Sequence, residues 1–95
     1  MNNFESFPVT PFETYLEMTQ YGTEVHFEYD KYELLSGTVE DGKMYFLIDY
    51  NTGLTYEVEE SMAVTLLQLM EQGKGKQLVE TITPRLRPTT SFSHM

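Results

Sequence analysis

The run Met44-Tyr-Phe-Leu-Ile-Asp-Tyr50 is apolar at both phases of a two-residue period. An ordinary amphipathic strand hides one face, whereas a strand that is apolar on both needs two covers, so this segment belongs at the centre of a sheet with other elements above and below it. The neighbouring sequence supplies the rest of that sheet. Asp41-Gly42 is a hairpin signal, because both central positions of the favoured tight turn need positive φ, which Asp tolerates and Gly adopts freely. Asn51-Thr52-Gly53 makes a second short turn, after which Leu54, Tyr56 and Val58 alternate with Thr55, Glu57 and Glu59 in a half-buried strand. Upstream, Val25, Phe27 and Tyr29 alternate with Glu24, His26 and Glu28 over Thr23 to Tyr29. Tyr32 to Val39 is less regular: Leu34 and Leu35 are adjacent and Ser36-Gly37 interrupts the run, which predicts a bulge or bend there. Together these runs predict an antiparallel β-meander.

Helices are predicted on both sides of the meander. Thr10 precedes Glu13 by the three residues of a capping box, and Pro11 occupies the first helical position, where its missing N–H costs nothing. Phe12, Tyr15, Leu16 and Thr19 recur at helical spacing and Gly22 is placed to stop the helix, so residues 11–21 read as amphipathic helix. Ser61 is placed to cap a second helix carrying Met62, Val64, Leu66, Leu67, Leu69 and Met70, with Gly73 as its stop. Its broad apolar face should cover one side of the sheet. Gln77 to Thr83 reads equally as a helical turn, through Leu78, Val79 and Ile82, or as a strand, through Leu78, Glu80 and Ile82. The predicted fold class is α+β: a three- to four-stranded antiparallel meander with an N-terminal and a C-terminal helix packed on it. Residues 1–84 are expected to form a single acidic domain and 85–95 a flexible tail, since two prolines and a Thr/Ser run leave little there to bury.

Ninety-five residues suffice for one modest core, and seven Tyr and six Phe supply large buried areas. With no Cys, neither a disulfide framework nor a thiolate metal site is available. Met1 to Pro11 lacks both the basic start and the apolar run of a signal peptide, and the richest apolar segment, Met62 to Met70, falls well short of the roughly 20 residues of a spanning helix. The expectation is a cytoplasmic chain without a membrane partner. The net charge of −9 is unevenly placed: all but one of the 15 acids precede Gly73, whereas Lys74, Lys76, Arg85 and Arg87 follow it against Glu80 alone. Such an acidic body repels phosphate backbones and anionic lipid, which argues against direct nucleic-acid binding and in favour of a basic protein surface as partner.

Candidate chemistry is sparse. Glu24, His26 and Glu28 would share one strand face with Asp30 next in line, yet residues two apart on a strand lie about 6.6 Å apart, too far for one strand to close on a metal ion unaided. Gly73-Lys74-Gly75-Lys76 lacks the strand-loop-helix setting and the Ser or Thr of a phosphate loop, and reads as a helix stop followed by a flexible basic turn. No Cys is present and His94 falls in the predicted tail, so a nucleophile with its base is hard to assemble around His26. No catalytic residue, metal site or cofactor is assigned. The acidic rows carry the functional expectation: Glu24, Glu28 and Asp30, with Glu57 and Glu59 on a nearby strand, would present regularly spaced negative charge, and Tyr29 or Tyr56 would supply an apolar anchor. Such a surface would imitate a nucleic-acid backbone and occupy the basic groove of a nucleic-acid-binding protein.

The stretch HFEYDKYELLSGTVEDGKMYFLIDYNTGLTYEVEE, followed by a Ser-led helix and GKGKQLVETI, resembles small β-meander-plus-helix proteins of Gram-positive bacteria and their phages. That resemblance, which covers about residues 23–82, implies a small acidic accessory or host-modulating factor, such as an inhibitor or regulator, and no catalytic residue. Two alternatives stand beside the non-enzymatic inhibitor. One is a homo-oligomeric structural or adaptor protein, prompted by the doubly apolar central strand, whose second cover would come from another copy. The other is a small hydrolase or metal-dependent enzyme, prompted by the abundance of carboxylates.

Overall fold

The computed structural model describes residues 6–39 and 42–86. Five antiparallel strands form one sheet: β1 (Val9–Thr10), β2 (Thr23–Tyr29), β3 (Tyr32–Val39), β4 (Gly42–Asp49) and β5 (Leu54–Val58), in the order β1-β5-β4-β3-β2. Helix α1 (Phe12–Thr19) follows β1, while α2 (Glu60–Glu71), α3 (Gly75–Ile82) and a 3-10 turn (Thr83–Arg85) follow β5. The α+β class and the meander stand as expected from sequence, with one strand more. That extra strand, β1, escaped notice because two residues carry no periodicity. Its pairing is tertiary: Val9 lies opposite Tyr56 and Thr10 opposite Thr55, and the Glu57 N–H donates to the Pro8 carbonyl at 2.8 Å.

Register divides the sheet into two faces. Phe27, Leu34, Leu47, Tyr56 and Val9 lie opposite one another across all five strands and so share a face. On that face they pack with Ala63, Leu66 and Leu69 of α2 and Leu78 and Ile82 of α3. The opposite face presents Leu35 and Phe46, both buried, and receives the first helix through an edge-on contact between the Tyr15 and Phe46 rings, with centroids 6.0 Å apart. The two covers demanded by β4 therefore come from the chain's own helices, α2 and α3 on one side and α1 on the other. No second copy is needed to cover β4.

Several local expectations need correction. Ser61 does not cap α2; Glu59 holds the N-cap position without a side-chain cap bond, and Ser61 lies inside the first turn. At the other end, Gly73 adopts φ 72 and its N–H donates to the Met70 carbonyl while the Lys74 N–H reaches that of Leu69. This is the Schellman pattern, which needs a left-handed residue where glycine stands. The ambiguous segment 77–83 is helical, since Leu78 and Ile82 are both fully buried against the sheet. Gly75 is no flexible turn residue: it opens α3 with the Tyr29 ring so close above it that any Cβ would collide. Packing also runs past Pro84, because the Phe7 N–H donates to the Arg85 carbonyl at 2.9 Å and Leu86 packs against the core. The Asp41 half of the expected hairpin turn and the predicted tail from Arg87 onward, His94 included, lie outside the described residues.

The bulge expected at Ser36-Gly37 lies elsewhere. β3 pairs with β4 without interruption through Ser36↔Tyr45 and Gly37↔Met44, whereas β2 slips by one residue between Val25 and Phe27. His26 is the extra residue. Its Nε2 lies 2.8 Å from the Ser36 Oγ and its ring leans against Tyr45 at 5.7 Å. A bulge inverts the facing of everything beyond it relative to simple alternation.

Candidate functional site

That inversion decides where the acids lie. Glu24 is opposite Ser36, on the α2/α3 side of the sheet, whereas Glu28 is opposite Glu33, on the α1 side. The predicted row of Glu24, His26 and Glu28 is therefore broken, and Asp30 stands in the β2–β3 turn with φ 58. Glu57 is exposed at Phe46's register position near the other edge of the sheet, and it borders a cleft of about 120 Å³ together with Glu59, Phe7, Met62 and Arg85. The five predicted acids thus form no single row, although Glu57 and Glu59 share one cleft. Of the two predicted anchors, Tyr56 is fully buried, edge-on to Phe7 at 6.4 Å, and has no surface to offer. Tyr29 remains 38% exposed, with its ring against Gly75.

The structure assembles a different group. Glu28 and Glu33 are direct cross-strand neighbours, and the Tyr50 hydroxyl donates to Glu33 Oε1. Tyr50 is brought there by the chain itself: its N–H donates to the Lys31 carbonyl at 2.9 Å, which ties the β2–β3 turn to the end of β4. The Asp49 carboxylate holds the following turn, accepting from the Asn51 N–H at 2.9 Å and the Thr52 hydroxyl at 3.1 Å. Tyr15 of α1 completes the group. Burial, and then the Glu33 charge, push its phenol up from the ordinary tyrosine value.

Tyr50 is pushed further, from 10.0 to about 12, chiefly because its hydroxyl donates to Glu33, with smaller contributions from burial and from the charges of Glu33 and Glu28. A phenol that keeps its proton more tightly in the folded state stabilises that state fully below pH 10.0, and the contribution fades as pH rises through about 12. Beside the raised phenol of Tyr15, an ultraviolet titration of the phenolate band is expected to contain a phenol with a midpoint of about 12. Tyr50→Phe should delete it, and Glu33→Gln should return its midpoint toward 10.0; a titration unchanged by either substitution contradicts the pairing.

Sequence reasoning missed Glu33, Tyr50 and Tyr15. Glu33 was findable from a two-residue turn at Asp30-Lys31, which sets Tyr29 opposite Tyr32 and Glu28 opposite Glu33. Tyr50 and Tyr15 gave no local signal, since a turn contact and a helix docking bring them in. His26 and Ser36 were likewise not paired in advance. A hydroxyl beside an imidazole is the opening arrangement of nucleophilic catalysis, yet Ser36 is only 3% exposed, and the pair closes the bulge from within. Among the described residues, no three of His, Asp and Glu converge as metal ligands, and no helix is long and apolar enough to cross a membrane. Compared with protein-family models, curated proteins and solved structures, the chain has no significant match to any of them.

Proposed function

We propose that this chain is a non-enzymatic, acidic protein-binding module that docks on a basic protein surface through Glu28 and Glu33, with the Tyr15 and Tyr50 rings beside them. The observation that carries this reading is the placement of two carboxylates directly opposite on adjacent strands. Cross-strand like charges destabilise the free sheet, and a cation placed between them turns that repulsion into attraction. Tyr50, at 57% exposure, offers an aromatic face of the kind that anchors interfaces. The chain's net charge of −9 would steer a cationic partner toward the site.

A nucleic-acid-binding protein remains the natural class of partner, because its working surface is basic. Glu24 and Glu28 do not form an evenly spaced, phosphate-like row, because the bulge sends them to opposite faces. What remains is charge-steered docking of one patch.

The test is capture of partners from the native host at low and high salt with the wild-type chain, the Glu28→Lys/Glu33→Lys variant and a Glu71→Lys control, Glu71 being exposed at the end of α2. The double reversal should weaken the retained interaction about tenfold or more, and added salt should weaken the wild-type interaction in the same direction. The control should lose far less. Equal retention by all three chains overturns the patch, and salt-insensitive retention overturns the charge mechanism.

A further inference from the structure

The two edges of the sheet are built differently. At one edge β1 has two residues and lies between Pro8 and Pro11, whose nitrogens carry no hydrogen to donate, so little of that edge can accept another strand. At the other edge β2 runs for seven residues and, among the described residues, pairs with no strand but β3. A strand paired on one side presents unpaired N–H and C=O groups on the other, and natural sheets rarely leave a long edge without a reason. Val25 in the middle of β2 is 55% exposed, and Glu24 and Glu28 flank it.

We infer that β2 is a strand-addition site for an extended basic segment of the partner, which becomes the sixth strand of the sheet. This rests on the reading of the chain as a docking module for basic proteins and specifies how contact is made. The charges choose between occupants. A second copy of β2 laid along this edge would bring another Glu24 and another Glu28 alongside the first pair, and like charges gathered on one edge repel at both places. A segment with Lys or Arg at those places converts both repulsions into attraction, while backbone bonds along the edge supply affinity independent of side chains.

The bulge adds a spacing rule. β3, which already follows β2 through the bulge, answers Glu24 with Ser36 and Glu28 with Glu33, residues three apart and on opposite faces. A strand added along the other edge in the same bulged register carries its two cations three apart. A regular edge, with Glu24 and Glu28 on one face, would instead ask for an even spacing.

Three capped peptides of equal composition test this by calorimetry and amide exchange on the full chain. The first has two lysines three residues apart in a Thr/Val background. The second has them four apart, the spacing a regular edge would ask for. The third is the first peptide with alternate backbone nitrogens methylated on the edge-facing side. The first peptide should bind and slow the exchange of β2 amides, the second should bind several-fold more weakly, and the third should lose about tenfold or more, because methylation removes its backbone donors and leaves its charge intact. If the methylated peptide binds as well as its parent and Glu28→Lys/Glu33→Lys abolishes both, strand addition is overturned while the acidic patch survives. Failure of all three peptides overturns strand addition outright; in that case the partner-capture experiment alone judges the patch. Indifference to lysine spacing overturns the bulged register.

Discussion

Tyr56→Ala is expected to lower the free energy of unfolding by about 3–5 kcal/mol, the range for truncating a large aromatic in a packed core. Tyr56 is fully buried on the core face of β5, between Val9 of β1 and Leu47 of β4, with the Phe7 ring edge-on to it. Its removal leaves a void where β1, β5 and β4 meet. It also withdraws the surface that holds the short β1 in place, since β1 has only two residues of pairing of its own. Against the roughly 5–15 kcal/mol of a typical small domain, the loss is a large fraction of the total. Denaturant titration should show a lower midpoint with an unchanged slope, and Tyr56→Phe should recover most of the loss. The same variant separates two roles for this side chain. If Tyr56→Ala left stability intact and abolished partner capture, Tyr56 would be the surface anchor that its place in the sequence pattern suggested, and the core assignment would be wrong.

Phe46→Ala is expected to cost a similar amount, about 3–5 kcal/mol, through the opposite layer. Phe46 is fully buried on the α1 face beside Leu35, and its edge-on contact with Tyr15 is an aromatic anchor of the first helix. Eight residues are too few for a helix to persist in water unaided, so α1 depends on that contact. Truncation should therefore do more than lower stability. Amide exchange across Phe12–Thr19 should accelerate beyond the change in the rest of the chain, whereas Tyr56→Ala should accelerate exchange in β1 and β5 first. A uniform acceleration in both variants would mean that the two layers are not separately anchored. Because Tyr15 belongs to the proposed docking patch, Phe46→Ala should also weaken partner capture, which Tyr56→Ala should not do in its folded fraction.

These two residues also mark where sequence reading succeeds. Both lie in runs whose apolar pattern predicted a strand, and the double apolarity of the run holding Phe46 correctly required a cover on each side of the sheet. The pattern does not distinguish a buried tyrosine from a presented one. Tyr56 and Tyr50 are the same residue type six positions apart, yet one is fully buried and the other 57% exposed. Tyr50 stands past the end of β4 in a turn tied to Lys31, and only that tertiary tie sets its hydroxyl on Glu33. Glu24 and Glu28 failed to share one acidic row for a single reason. Period-two counting assumes an unbroken ladder, and one extra residue at His26 moved Glu24 and Glu28 to different faces.

Sequence alone determined the order and kind of most elements: the antiparallel meander, the helices before and after it, the glycine stop of α2 and the sandwiched central strand. Those features are local, written in periodicity, turn residues and caps within a few positions of one another. Tertiary structure decided the fifth strand, the helical state of the segment after Lys76, the site of the bulge and the company each carboxylate keeps. Register and docking depend on which distant side chains fill the same volume, and no local pattern records that. The proposed contact surface belongs to this second class, because Glu28, Glu33, Tyr15 and Tyr50 become neighbours only when a hairpin, a turn and a helix close on the same face.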